Sequence, residues 1–188
     1  MASNNAKLGI GNATGMFYHA PAGTALPSYP LEPLDSAWKE VGDVAADGIT
    51  LNTDKTTSVI RNWANEVKRV IQTEHTETIA ATIMDTTQEV LETILGEGKT
   101  TVVEPGSGHG RLIKASLTQG SLPDPEAYLF LMKDGDDCIA IGTEDGQITA
   151  MSSVVFAPGD TIKWVPTITA MNEGWQIILD DGQSGSSS

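Results

Sequence analysis

The segment that decides the fold reads ETIAATIMDTTQEVLETILG, residues 77–96. Its first half has period two, which predicts a half-buried strand with one apolar face made of Ile79, Ala81 and Ile83. Its second half changes to helical spacing, with an apolar stripe made of Val90, Leu91, Ile94 and Leu95. Thr86 and Glu89 fit a T-x-x-E capping box and Gly96 supplies a stop, so we predict a helix over 86–96.

The sequence on both sides of this segment indicates strands. Residues 49–85 are rich in Thr, Ile and Val and fit two or three strands. After Gly110, apolar runs end at turn residues, as in AYLFLMK before DGDD and CIAIGT before EDGQ. In the run DTIKWVPTITAM we expect one face to carry Ile162, Trp164, Ile168 and Ala170. In the run GWQIILDD we expect one face to carry Trp175, Ile177 and Leu179.

These patterns predict a mainly β fold. We expect an antiparallel β-sandwich or partial barrel with one flanking α-helix and a long extended N-terminal arm. The arm and its loop would be residues 1–37, because HAPAGTALPSYPLEPLD is rich in proline, which fixes φ and removes a ladder donor. Residues 38–180 would form the β-sandwich domain with the helix 86–96, and 181–188 a flexible tail. We expect the arm to matter more for assembly than for folding.

Composition excludes several classes of function. The 188 residues carry a net charge of −14 with only 11 basic side chains, so a sequence-reading nucleic-acid binder is disfavoured. The first residues do not form a secretory signal, and no apolar run approaches the ~20 residues that span a bilayer, so no membrane partner is expected. The single cysteine, Cys138, cannot form an internal disulfide and is expected to be a core residue.

One glycine-rich loop admits a catalytic interpretation. The segment VVEPGSGHG, residues 102–110, resembles the loop with which Rossmann-like methyltransferases bind S-adenosylmethionine, through Gly106, Gly108 and Gly110. Such a loop requires a helix directly after the glycines and further βα units. In that fold an acidic residue about 20 residues further on binds the ribose, and Asp124 or Glu126 would be that residue here. RLIKASLTQGS could form a helix of only three turns, so we favour a turn between two strands, with glycines at positive φ.

Other candidate sites are weaker. Asp134 and Asp136 alternate as in a calcium loop, but Ile139 stands where that loop needs glycine, so a hairpin turn is favoured. The three histidines, His19, His75 and His109, are not spaced like the ligands of a metal site. We expect His75 to be solvated or to lie at an interface. The tryptophans could stack on sugars, but we favour core positions for Trp38, Trp63, Trp164 and Trp175. We therefore predict no catalytic, cofactor-binding or metal-binding residue.

The N-terminal half carries a family resemblance. GNATGMFYHAPAGTALPSYPLEPLDSAWKEVGDVAADGITL, residues 11–51, resembles the opening of major tail proteins of long non-contractile-tailed bacteriophages, the siphophages of Gram-positive and actinobacterial hosts. The matching pieces are G-x-A-T-G-x-x-x-x-A-P-A-G-T-x-L-P, W-x-x-V-G-D-V and D-G-I-T. The similarity continues through IRNWANEVKRVIQTEHTETIAATIMDTTQEVLETILG, residues 60–96, whereas VVEPGSGHG is not typical of that family.

The resemblance implies a structural virion protein that is not an enzyme and needs no cofactor. It implies hexameric rings stacked into a tube, with the tape measure protein and the tail terminator and tip proteins as partners. Double-stranded DNA would pass through the lumen without specific binding, helped by the acidic composition. The protein would be assembled in the host cytoplasm and reside in the virion. The alternatives are a small S-adenosylmethionine-binding enzyme and a carbohydrate- or host-binding β-sandwich.

Overall fold

In the part of the chain that the structure describes, the fold is one antiparallel sheet with a single helix and a small separate hairpin. The computed structural model describes residues 16–30, 32–108, 110–117 and 121–180. The strands of the main sheet are β1 Phe17–Pro21, β2 Lys39–Gly42, β3 Val44–Arg61, β4 Val67–Ile83, β7 Glu126–Asp134, β8 Asp137–Met151, β9 Pro166–Ala170 and β10 Gln176–Asp180. The small hairpin pairs β5 Thr100–Val103 with β6 Leu112–Ala115, and the helix is α1 Gln88–Leu95.

The main sheet has the strand order β2-β1-β7-β8-β9-β4-β3. Strand β10 also pairs with β8, along Cys138–Gly142, whereas β9 pairs with the later part of β8, Gly146–Met151. It does not close into a barrel. The predicted mainly β, antiparallel fold with one flanking helix is therefore confirmed. The predicted strand in the deciding segment is also present as the second half of β4, where Ile79, Ala81 and Ile83 are fully buried.

The core lies on both faces of β7, because successive side chains of a strand point to opposite sides. Tyr128 and Phe130 pack on the face that α1 covers, while Ala127, Leu129 and Leu131 pack on the other face with Trp38. The helix contributes Val90, Leu91, Ile94 and Leu95 to the first of these clusters, as its apolar stripe predicts.

The proline-rich N-terminal segment is partly built into the sheet. Strand β1 pairs with both β2 and β7, and Phe17 is fully buried with its ring stacked 4.5 Å from that of Phe130. Further along, the Leu26 amide donates to Glu144 Oε1 at 3.2 Å. The expectation that residues 1–37 form an extended arm and loop is thus wrong for 17–21, which form a sheet strand. Phe17 and Ala20 of this strand are core residues, although the segment that follows is rich in proline. The domain boundaries 1–37, 38–180 and 181–188 otherwise stay a prediction.

The N-cap of the helix lies one residue later than the capping box predicts. Thr87 is the N-cap, and its Oγ1 accepts from the Val90 amide at 3.2 Å. Thr86 instead accepts from Trp164 Nε1 at 3.0 Å, and Glu89 binds His19. The predicted T-x-x-E box is therefore wrong, because both of its side chains have tertiary partners that the local sequence does not contain.

Near the C-terminus, one turn prediction is wrong and one strand lies the other way round from what its apolar residues would favour. The EDGQ segment is not a turn, since β8 continues through it; a Cβ on Gly146 would lie 3.0 Å from the Tyr128 ring, so this glycine permits close packing. In β10 the face that Ile177 and Leu179 share is the exposed one. Ile177 and Leu179 are 61% and 54% exposed, while Ile178 packs against the core. Trp175 precedes the strand and packs against the core from there.

Candidate assembly interface

The longest feature of the molecule is the β3–β4 hairpin, which leaves the sheet. Strand β9 pairs with β4 only at Thr78–Ala80, and between Val67 and Glu77 β3 is the only described strand that pairs with β4. At ~3.3 Å per residue, this part reaches about 35 Å beyond the sheet. Every residue from Thr50 to Val70 except Asn62 is exposed, on both faces of the ribbon.

An isolated two-stranded ribbon is at best marginally stable in water, and its outer edges offer unpaired N–H and C=O groups. This ribbon also exposes apolar side chains, namely Leu51, Val59, Ile60, Trp63, Val67 and Val70. The sequence favours the extended form through its many β-branched residues, but it offers no core face to bury. Such a ribbon gains stability by binding another surface.

The turn of the hairpin is ordered by its own hydrogen bonds. Asn62 donates its amide to the Glu66 carbonyl at 3.0 Å, and its Oδ1 accepts from the Glu66 amide at 2.9 Å. Asn65 has a φ of 63°, which asparagine tolerates better than most residues. These bonds hold Trp63 outward with its side chain fully exposed. The turn therefore presents a fixed aromatic group to a partner.

A buried histidine links the helix to the sheet. His19 on β1 places Nδ1 2.9 Å from Glu126 Oε2 of β7 and Nε2 2.7 Å from Glu89 Oε1 of α1. Lys39 on β2 lies 3.8 Å from the same Glu89 oxygen. Only a doubly protonated imidazole donates to both carboxylates. Burial alone would lower the pKa of His19, but the hydrogen bonds and charges of Glu126 and Glu89 outweigh it and raise that pKa above 6.5.

We expect this cluster to make stability depend on pH. Because the folded pKa of His19 lies above its unfolded value, its stabilisation is complete below about pH 6.5 and is lost as the pH rises through the folded pKa. The His19→Gln substitution should cost about 2 kcal/mol at pH 6, since hydrogen bonds to charged groups are lost. Denaturant unfolding between pH 5.5 and 9 should show this difference shrinking as the pH rises. A difference that is constant over the whole range would contradict the prediction.

The glycine loop has the geometry of a hairpin turn. Val103 pairs with Leu112, so the chain reverses between them and continues as a strand. The helix that a nucleotide loop requires after the glycines is replaced by β6 among the residues described there. Gly108 has a φ of +84°, as expected for a turn, whereas Gly106 and Gly110 show no positive φ. The prediction of a turn is confirmed, and His109 lies outside the described residues.

The remaining candidate residues are separated from one another. Gly135 and Asp136 form the two-residue turn between β7 and β8, as predicted for that segment. Within the described ranges, no group of three His, Cys, Asp or Glu side chains could hold a metal ion. Cys138 is buried, as expected. His75 lies on the exposed hairpin, 3.2 Å from Glu77 Oε1. The core prediction holds for Trp38 and Trp164, while Trp63 is exposed.

Comparison with known proteins decides the family. The family model described as phage tail tube protein matches residues 1–178. The chain belongs to the phage tail tube protein family. No curated protein sequence matches the chain.

The membership agrees with the resemblance carried by residues 11–51 and gives the hairpin a context. A tail tube protein is a structural component of the virion, and it self-assembles into a tube. In the described part of this tail tube protein, the helix is too short to cross a membrane. The candidate functional site is therefore an interface between copies of the chain, and the β3–β4 hairpin is a large exposed element available for it.

Proposed function

We propose that this tail tube protein forms hexameric rings that stack into the tail tube of a siphophage, and that the β3–β4 hairpin is its main assembly element. The observation that carries the proposal is the exposure of both hairpin faces from Thr50 to Val70. A ribbon of this length buries enough surface on a neighbour to stabilise both partners, and adjacent unpaired edges can extend a sheet across subunits. The exposed Ile177 and Leu179 of β10 add a second apolar surface.

The charge of the chain suits a DNA conduit. With a net charge of −14, carboxylates that face the lumen would repel the DNA phosphates, so that DNA would pass without being held. The tube would end at the tail terminator and tip proteins and enclose the tape measure protein during assembly in the host cytoplasm.

The proposed role requires no catalytic, cofactor-binding or metal-binding residue. The S-adenosylmethionine alternative loses its structural support where β6 follows the glycine loop. The carbohydrate-binding alternative rests on exposed tryptophan, and only Trp63 is a fully exposed one among the residues described. Its position at the turn of a long exposed hairpin fits a protein contact equally well.

Electron microscopy of the concentrated full-length protein tests the proposal. We expect hollow tubes built of stacked rings with sixfold symmetry, and sedimentation should show a concentration-dependent change from monomer to large assemblies. A protein that stays monomeric at millimolar concentration would contradict the self-assembly of the isolated subunit. Tubes with another ring symmetry would contradict the hexameric part of the proposal.

A further inference from the structure

The hairpin turn is basic, although the protein as a whole is strongly acidic. Four of the chain's 11 basic residues lie between positions 55 and 69, namely Lys55, Arg61, Lys68 and Arg69. Only Glu66 opposes them in that range, and it pairs with Lys68 at 2.9 Å. Residues 61–69, which we call the basic tip, therefore present cationic side chains around the exposed Trp63.

A cleft beside α1 has the complementary character. Its lining carries five carboxylates, which define the acidic cleft, namely Glu89, Glu92, Glu97, Asp124 and Glu126. The cationic side chains in the lining are His19 and Lys39, which lie beside Glu89 and Glu126, so the cleft keeps a net negative charge. Its floor and walls include small or apolar residues, among them Ala20, Ala37, Gly96 and Pro123. Hydrogen bonds from Thr100 and Gln88 lower the pKa of Glu92, so that carboxylate stays ionised. Thr93 also lines the cleft, and its buried hydroxyl has no hydrogen-bond partner among the described residues.

The basic tip cannot reach the acidic cleft of its own chain. Helix α1 follows the sheet end of β4, whereas the tip lies at the other end of the same strand. Strand β4 spans Val67–Ile83, which at ~3.3 Å per residue is about 55 Å. A contact between tip and cleft therefore joins two copies of the chain. Because the two surfaces differ, each copy can give a tip and receive one, which generates a ring or a stack.

We propose that the basic tip of one subunit docks into the acidic cleft of another, with Trp63 against the small apolar residues and Arg61 and Arg69 facing the carboxylates. The inference rests on the proposed function and names the partner surface of the hairpin. Arginine beside an aromatic group is the pair that protein interfaces favour at their centre, and opposite charges fix the register of docking.

Cysteine cross-linking tests the contact. A full-length chain carrying Ala64→Cys in the tip and Glu97→Cys in the cleft is assembled and then oxidised. We expect a ladder of covalent multimers on a denaturing gel, and no ladder from either single variant, since the native Cys138 is buried. Tubes that form without a ladder would overturn the docking and leave the proposed function standing. Absence of tubes in the unmodified protein as well would overturn both.

Charge reversal provides an independent readout. Arg61→Glu with Arg69→Glu should lower tube yield at least tenfold at low salt, and so should Glu97→Lys with Asp124→Lys. Combining all four substitutions in one chain should restore at least half of the yield. The matched control Asp136→Lys, in the exposed β7–β8 turn, should leave the yield unchanged. If the two reversed pairs assemble normally, or the fourfold variant is no better than either pair, the proposal is wrong.

Discussion

Replacing Lys55–His75 by Asn-Gly should abolish tube formation while leaving a folded monomer. The new two-residue turn would connect Asp54 to Thr76, which are already paired across the hairpin. The removed residues lie beyond the contact with β9 and, except for Asn62 and Ile71, are exposed, so the core loses little. We expect a melting temperature within a few degrees of the unmodified protein and at least a 100-fold rise in the concentration needed for assembly.

The control for this truncation is Asn65→Gly, which keeps the hairpin length and the positive φ at the turn. It should assemble like the unmodified protein, as judged by sedimentation and electron microscopy. Normal tubes from the truncated chain would show that the hairpin is not an assembly element. An unfolded truncated chain would show that the ribbon belongs to the folding core.

Phe17→Ala should cost about 3–5 kcal/mol of unfolding free energy, a large part of the stability of a domain of this size. Phe17 is fully buried and stacks on Phe130 at 4.5 Å with nearly parallel rings, so truncation removes a large apolar group from the centre of the core. The matched control is Tyr29→Ala, in the same proline-rich segment but 66% exposed. It should change the free energy by less than about 0.5 kcal/mol.

Denaturant unfolding of the two variants measures this difference. A large loss for Phe17→Ala beside a small loss for Tyr29→Ala confirms that β1 is part of the core. Equal and small losses would restore the interpretation of residues 1–37 as an appended arm.

Local pattern was sufficient to predict the strand and helix of the deciding segment. The alternation through Ile79, Ala81 and Ile83 and the stripe through Leu91 and Ile94 both reflect one buried face, and the structure buries all of these residues. A pattern of this kind is readable because burial on one side imposes its period on the sequence.

Tertiary contacts were not predictable in the same way. His19 meets Glu89 and Glu126, which are 70 and 107 residues away in the chain. Gly146 looks like a turn residue, but its requirement for a glycine comes from Tyr128 and Ile168 of neighbouring strands. In both cases the physical cause is the pairing of distant strands, which no local window contains.

The hairpin shows a further limit. Thr, Ile and Val in residues 49–85 predict strands, but the ribbon over 50–70 has no period-two burial because both of its faces are solvent-exposed. Nothing in the local sequence distinguishes a strand that leaves the sheet from one whose second face is covered. The exposure of Trp63 follows from this departure, so the core position that composition favours for a tryptophan is wrong here.

Hydrogen exchange of the hairpin amides, compared between monomers and assembled tubes, shows whether the β3–β4 hairpin is the assembly element. In the monomer, the ribbon between Thr53 and Thr76 can open locally because no core contact holds it. If the hairpin is the assembly element, its exchange should slow by on the order of 100-fold in the tube, while the core strand segment Ala127–Leu131 should exchange equally in both states. Equal exchange rates of the hairpin amides in monomer and tube would show that the hairpin is not the assembly element.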